Sequence, residues 1–390
     1  MRRDPRTTIL HLVHSLTGGG TERTLVALLN GFDHQRARHK VVTLRGAGEL
    51  AAKLPEHIGC QALEASGLRR GCAVSLARIV RREKAAIIHA RNTGCWFDAL
   101  AASVLSPASR LILGFHGLDS GVVFSSRKRR MARLAQWWGA TFATNSFSGK
   151  LQLTAQIGLA PNRITVLPNG VDLARFPPKS DFEKSRLRDL FGLPNRGFVI
   201  GAVGSLTRVK RWDVLIAAFA QLLRIEHRCV LVIVGDGPER TSLIDLAEKL
   251  GVNDRICWAG ACEDVPDRLA AMDVFVSTSD SESMSCVLLE AMASALPVVA
   301  TDVGDNLSLA RQEREGLIVP RGDSRAVADA VGTLLRFPEL RVRLGSAARR
   351  RAEEYSFPNV LDDYQVFYER VAASRDRSSA VELPRLSVRH

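Results

Sequence analysis

Residues 273–305 read DVFVSTSDSESMSCVLLEAMASALPVVATDVGD, and this stretch decides the fold. An apolar, β-rich run (273–279) gives way to Ser, Asp and Glu, then to an apolar segment of helical length (285–294), then to a second β-rich run (296–303). A helix between two strands is the crossover of a parallel pair. Outward from this unit the alternation continues, with strands expected at 198–204, 229–235, 255–260 and 316–320 and helices at about 212–224, 239–250 and 324–336. The first half has the same rhythm: strands at 7–14, 39–45, 85–90, 110–116, 141–145 and 163–167, and helices at about 21–32, 73–83, 96–105, 126–138 and 147–157. Pro168-Asn169-Gly170 breaks the pattern, and Phe176-Pro177-Pro178 argues against an immediate restart, so the interdomain linker is expected there. Residues 339–372 look helical with a break near Ser356-Phe357-Pro358, and 374–390 read as a loose polar tail. The fold class is therefore α/β, two doubly wound domains in tandem, of the size 390 residues allow at about 150 residues per domain.

Hydrophobic residues make up 46% and charged residues 24%, and the mean hydropathy is zero. These values exclude a disordered polyampholyte, a fibrous repeat and an integral membrane bundle. The apolar run from Ile9 to Leu16 carries His11 and His14 and no small-residue cleavage site follows it, so it reads as a buried strand rather than a leader. Seven cysteines without a C-x-x-C pair indicate neither a zinc site nor a disulfide framework, and a reduced, cytoplasmic compartment is expected. Residues 1–172 hold 24 Lys+Arg against 10 Asp+Glu, whereas 173–390 hold 30 against 31. No acidic residue occurs between Asp119 and Asp172, where Arg127, Lys128, Arg129, Arg130, Arg133, Lys150 and Arg163 fall. The first domain should attract an anionic partner: a phosphorylated substrate, a membrane surface or a nucleic acid.

Chemistry is expected just beyond the strand ends. In the first domain these positions include His14, His89 and His116, each of which could instead be a satisfied core histidine. Gly18-Gly19-Gly20 precedes the first helix, where backbone N–H groups can receive a phosphate. It lacks the G-x-G-x-x-G spacing and a P-loop lysine, so neither NAD binding nor Walker-type hydrolysis is indicated, and a tight turn is the structural alternative. In the second domain Arg208, Lys210 and Arg211 lie within four residues on the loop entering a helix, a cation density suited to a diphosphate or to a solvated loop. Glu282 precedes the helix and Glu290 comes eight residues later, roughly 12 Å along a helix axis at 1.5 Å per residue, with the amides of Met284 and Ser285 between them. That layout fits hydroxyls at both ends and phosphate in the middle, as in a nucleotide sugar. A helix-start carboxylate and a surface glutamate are the plain alternatives.

The order Gly-Gly in the first βα turn, His-Gly at 116–117, Asn-Gly-Val-Asp at 169–172, Val-Gly-Ser-Leu at 203–206 with Lys210, Val-Gly-Asp-Gly-Pro at 234–238, and Glu282-x7-Glu290 with P-V-V-A-T-D at 297–302 resembles glycosyltransferase family four over residues 8–372. The resemblance implies a GT-B architecture, two Rossmann-like lobes with an interdomain cleft. Residues 1–172 would bind the acceptor, 173–356 would bind the nucleotide sugar, and a helix at 357–373 would cross back to the first lobe. It further implies a retaining, metal-independent hexosyltransferase without a cofactor, the nucleotide diphosphate sugar being a co-substrate. Glu290 would hold the ribose, Lys210 the diphosphate, and Glu282 with the amides of Met284 and Ser285 the sugar hydroxyls. Gly19 and Gly20 would approach the phosphate from the opposite lobe, and His116 would lie beside the transferred sugar. His116, Glu282 and Lys210 are the catalytic candidates.

Two departures stand out. Ser205 replaces the usual arginine of Gly-Arg-Leu, with Arg208 a possible substitute, and Ser283 replaces the glycine after the first glutamate. The expected donor is a UDP- or GDP-sugar, and the acceptor a sugar, a glycolipid or a polyprenyl-diphosphate-linked sugar in surface polysaccharide or glycolipid assembly. The setting would be the cytoplasm, with an anionic membrane meeting Arg127, Lys128 and Arg130 beside an apolar face of Met131, Leu134 and Trp138. The alternatives are an inactive glycosyltransferase-like membrane scaffold and a nucleic-acid-binding protein. The second would use Trp137-Trp138, but that pair reads more simply as core, and no nucleic-acid partner is expected.

Overall fold

The computed structural model describes residues 6–63, 72–117 and 123–374, so most of the tail expected over 374–390 lies outside the described residues. The described residues divide into two compact units, one made of those up to Asn169 together with those from Phe357 to Ser374, the other of Gly170–Ser356.

The first unit runs β1 (Thr7–Val13), α1 (Gly20–Gly31), β2 (Ala37–Thr43), β3 (Cys60–Ala62), α2 (Cys72–Arg82), β4 (Ile87–Ala90) and α3 (Trp96–Leu105). It continues with β5 (Arg110–Phe115), α4 (Ser126–Trp137), β6 (Thr141–Thr144), α5 (Phe147–Ile157) and β7 (Ile164–Val166). The second contains α6 (Asp181–Leu190), β8 (Phe198–Val203), α7 (Trp212–Leu223), β9 (Cys229–Val234), α8 (Arg240–Lys249), β10 (Ile256–Gly260) and α9 (Val265–Ala270). It ends with β11 (Val274–Ser277), α10 (Cys286–Ala293), β12 (Val298–Thr301), α11 (Asn306–Leu309), β13 (Gly316–Val319), α12 (Ser324–Arg336) and α13 (Pro338–Glu354). The last helix, α14 (Phe357–Ala373), belongs to the first unit.

The strands of both sheets pair in parallel, in the orders β3-β2-β1-β4-β5-β6-β7 and β10-β9-β8-β11-β12-β13. This is the GT-B arrangement of two doubly wound sheets. Helices on both faces bury strands such as β9 (CVLVIV) on both sides, which is why those strands read as continuous apolar runs. In the first unit α14 closes one face: Val360, Phe367 and Tyr368 join Ile9, Val13 and Leu25 in a buried cluster.

Four elements were not expected: β3, α6, α9 and α11. β3 is a three-residue edge strand of half-buried residues with no apolar run to announce it. α6 starts despite Pro177-Pro178, because Ser180 and Glu183 form a reciprocal capping box. Its Lys184 and Arg188 then reach Asp273 at the foot of β11, at 2.7 and 2.6 Å.

Two readings of side-chain placement are corrected. Trp137 is not core but 81% exposed, while Trp138 packs inward and donates from Nε1 to Ser103 Oγ at 2.9 Å. On α4, Met131 also packs against the core, so the exposed face of this helix carries Leu134 and Trp137 in line with Arg127 and Arg130 instead of the expected Met131, Leu134 and Trp138. Among the described residues no helix is long and apolar enough to cross a membrane.

Candidate functional site

Where the strand order reverses, the loops beyond the carboxyl ends of adjacent strands diverge and leave room for a ligand. In the second unit this point lies between β8 and β11. The loop after β8 carries Lys210 and the loop after β11 carries Glu282, and Lys210 Nζ sits 2.5 Å from Glu282 Oε1. Both side chains are largely sheltered, so the pair is a strong, oriented one rather than a solvated surface contact. Ser279 Oγ donates to the same Glu282 oxygen at 2.8 Å.

The two loops are tied by backbone as well. Asp280 N donates to Val209 O at 2.8 Å, and Thr278 Oγ1 donates to the carbonyls of Lys210 and Arg211. Arg211 adopts a left-handed backbone (φ +50°), and its guanidinium bridges Asp213 and Asp280. Its hydrogen bonds to those two carboxylates, Asp213 first, raise its pKa above the usual arginine value. From the other side, Gly304 (φ +56°) permits the loop after β12 to close on Glu282, since a Cβ there would lie 1.9 Å from the Glu282 carbonyl oxygen. Asp305 N then donates to Ser283 O at 3.0 Å. Glu282, on the loop after β11, is therefore held between the loops that follow the neighbouring strands β8 and β12.

Ser285 is the N-cap of α10, its hydroxyl accepting from Leu288 N, and Met284 beside it is buried. The positive end of α10 thus faces the same region as Lys210 and Glu282. Glu290 lies half-buried as the fifth residue of the helix, a little over one turn from its start. Arg208 is different: its side chain is 92% exposed, and its nearest carboxylate is Glu239 at 3.8 Å. Of the three cations on this loop, Lys210 and Arg211 are engaged with the loop after β11, and Arg208 extends into solvent.

The positioning roles of Thr278, Ser279, Asp280 and Arg211 escaped the sequence reading. The only signal for the first three was a polar run directly after an apolar strand, and for Arg211 its place among the three cations of the loop after β8.

In the first unit the reversal lies between β1 and β4. Gly19 is the N-cap of α1 and Gly20 its first residue, and neither has a positive φ, so the tight-turn explanation for these glycines does not hold. A Cβ at Gly20 would meet nothing within 4 Å. His116 follows β5 and is half-buried. Burial, and then the nearby Arg91 charge, push its pKa down to about 3, so the ring is neutral at physiological pH. His89 is not an open strand-end group: it is buried in β4 and hydrogen-bonded through Nδ1 to Tyr368 OH at 3.0 Å. His14 is exposed. Among the described residues no group of three or more His, Cys, Asp or Glu side chains is arranged to hold a metal ion.

Residues 18–175 match the family model described as Glycosyltransferase Family 4, and residues 183–351 match Glycosyl transferases group 1. The chain is 37% identical over 235 residues to a D-inositol 3-phosphate glycosyltransferase of Salinispora tropica, a match covering 56% of this chain and 48% of that one. It thus spans about half the length of such curated relatives. It is 27% identical over 303 residues to N-acetyl-alpha-D-glucosaminyl L-malate synthase of Bacillus anthracis, covering 76% of this chain and 77% of the relative. The structure of Anabaena HepE in complex with UDP-glucose is similar at a TM-score of 0.80 and 23% identity, over 92% of this chain and 98% of that one.

Proposed function

The chain belongs to glycosyltransferase family four, and from that premise we propose that it is a retaining glycosyltransferase moving a sugar from a nucleotide diphosphate sugar to an acceptor hydroxyl. The observation that carries this reading is the Lys210–Glu282 pair at the switch point of the second sheet, at the start of the helix bearing Glu290. A diphosphate needs a sheltered cation, sugar hydroxyls need a carboxylate acceptor, and a ribose needs a second carboxylate further along the ligand. Lys210, Glu282 and Glu290 supply these in order, and the backbone at Met284 and Ser285 lies between the two glutamates.

In the proposed reaction the bond between sugar C1 and the diphosphate oxygen breaks, and the acceptor oxygen bonds to C1 from the same face. The acceptor proton passes to the departing diphosphate. Lys210 stabilises the charge that develops on the leaving group, and neither a cofactor nor a metal is assigned a role. His116, neutral at working pH, would serve as a hydrogen-bonding group beside the sugar. Gly20 fits a phosphate approach, because the fold itself makes no use of its missing side chain.

A UDP-sugar is the favoured donor, with a GDP-sugar as the alternative, since HepE was solved with UDP-glucose. For the acceptor, the two relatives are named for an inositol phosphate and a malate, both anionic, and the first domain here is strongly basic. An anionic acceptor follows, either soluble or lipid-linked. The exposed Arg127, Arg130, Leu134 and Trp137 face of α4 suits a lipid-linked one reached at the inner face of a membrane, with surface polysaccharide or glycolipid as the product class.

The deciding experiment is a thermal-shift panel of UDP, GDP and their sugars, followed by turnover of a labelled sugar nucleotide with an anionic acceptor. Stabilisation by one nucleotide family together with release of its diphosphate is expected. Binding without turnover on any acceptor would favour the inactive-scaffold alternative, for which Ser205 and the outward Arg208 are the grounds.

A further inference from the structure

Outside the site just described, the second unit has a cavity of about 340 Å³ between α13 and the loop joining α11 to β13, and arginines dominate its walls. The loop contributes Arg311 and Arg314, and α13 contributes Arg343, Arg350 and Arg351. On the helix these fall at spacings of seven and eight residues, which place them on one face, with the small Ala347 between them keeping the space open. The adjoining face of α13, with Leu344, Ala348 and Ala352, is buried in the core. The arrangement of guanidinium groups is therefore set by a helix whose adjoining face is fixed.

Two carboxylates also line the cavity, and both are engaged: Glu315 pairs with Arg311, and Glu354 Oε2 lies 2.6 Å from Arg351 Nη1. Arg351 is only 6% exposed and also donates to Ser308 O at 3.0 Å and to Tyr355 OH at 3.2 Å, yet its Nε is buried with no hydrogen-bond partner. Arg343 reaches the Glu313 carbonyl at 3.1 Å. Among the described residues no carboxylate pairs with the side chains of Arg314, Arg343 or Arg350, so three of the five cations face the cavity region unneutralised. Like charges held this close repel, and an anion between them would relieve the repulsion.

We propose that this cavity is a second anion site, taking a compact ligand with two phosphate groups between Arg311 and Arg314 on the loop and Arg343 and Arg350 on the helix. A single phosphate carries about −1.5 to −2 charges and would leave part of the excess unmatched, whereas two phosphates match it. Guanidinium groups are suited to phosphate because their planar forks bind its oxygens in pairs. Inorganic diphosphate and a sugar bisphosphate share this chemistry. The site is independent of the transfer reaction and needs none of the residues assigned to it.

The test is calorimetric titration of the full chain with inorganic pyrophosphate and, separately, with glucose 1,6-bisphosphate, at about 0.15 M salt so that diffuse attraction is screened. The variants are Arg314→Gln/Arg350→Gln and, as a control for the first site, Lys210→Ala. Arg314 and Arg350 are exposed, so the double variant should fold, which an unchanged unfolding temperature without ligand will verify. In Lys210→Ala, where the first site is weakened, binding at the cavity is expected to persist, and adding Arg314→Gln/Arg350→Gln to that variant should weaken it at least tenfold, with the tighter of the two ligands identifying the source. Absence of binding to the parent would overturn the proposal. So would equal binding by Lys210→Ala with and without the two arginine changes, or loss of binding in Lys210→Ala itself, which would assign the phosphate to the first site.

Discussion

Lys210 and Glu282 hold each other 2.5 Å apart, so the proposed diphosphate ligand and the proposed sugar ligand are oriented against one another. Their removal should have opposite consequences. Lys210→Ala and Glu290→Ala should each weaken nucleoside diphosphate binding by roughly 1.5–3 kcal/mol, as expected for lost charge-assisted hydrogen bonds. Glu282→Ala should leave that binding intact or tighter, because it removes a competitor for Lys210, while turnover falls. Titration with UDP and GDP beside a turnover assay checks both, and unchanged affinity in Lys210→Ala and Glu290→Ala together would refute the site assignment. Gly20→Ala separates fold from function: with an ordinary φ and open space at Cβ, it should leave stability unchanged or raise it by up to about 1 kcal/mol, yet depress turnover. Parental turnover in that variant would show that no phosphate approaches Gly20. For His116, a folded-state pKa of about 3 predicts no activity limb from this residue between about pH 5 and 8, and a limb abolished by His116→Asn would contradict it.

At the scale of single elements, α4 and α6 both depart from what their sequences suggested. α6 owes its start to the Ser180–Glu183 capping box, so Ser180→Ala should cost about 1 kcal/mol in urea unfolding. A shift near zero would mean that Lys184 and Arg188, anchored on Asp273, hold the helix without its cap. α4 presents Trp137 and Leu134 to solvent beside Arg127 and Arg130. Each basic residue near an anionic leaflet is worth about 1 kcal/mol, and an exposed tryptophan adds interfacial burial. Sedimentation with anionic vesicles at low salt should exceed that with neutral ones, and Trp137→Ser with Arg127→Gln and Arg130→Gln should abolish the difference. Equal pelleting by both vesicle types would leave the basic first domain to a soluble anionic acceptor.

For the molecule as a whole, the first unit is completed by a helix that follows the entire second unit in the chain. Arg91, 1% exposed, has the hydroxyls of Tyr364 and Tyr368 on α14 at 3.5 and 3.4 Å. His89 bonds Tyr368, and His11 Nε2 lies 3.0 Å from His39 Nδ1. Burial, followed by neighbouring histidines and Arg91, lowers the pKa of His11, His39 and His89, that of His39 to about 3. These rings stay neutral in the folded state while the unfolded chain binds protons below about pH 6.5, so stability is full above that pH and falls as pH decreases toward 3. The slope is up to about 1.4 kcal/mol per pH unit for each such histidine. Unfolding measured from pH 8 to pH 5 should therefore show the first unit weakening first, with His39→Phe reducing the effect; a flat profile would mean the cluster opens to solvent.

The β/α alternation was legible because it is local: runs of Val and Ile make strands, apolar periodicity makes helices, and α3, α5 and α12 lie where their patterns put them. Glu290 was legible as a helical residue, but α10 begins only at Cys286, so Glu282 stands on the loop before the helix and a rise of about 1.5 Å per residue does not describe the pair. The edge strand β3 was not, because three half-buried residues gain their order only from β2 beside them. Direction of side chains also escaped. Neither the outward turn of Arg208 and Trp137 nor the inward turn of Arg91 is written in neighbouring residues. Arg91 is buried by tyrosines 273 and 277 positions away, and the arginine cavity joins a loop to a helix some thirty residues later. A charged side chain goes inside only where distant segments supply the groups that replace its water, and which segments those are is settled when the sheets and helices pack.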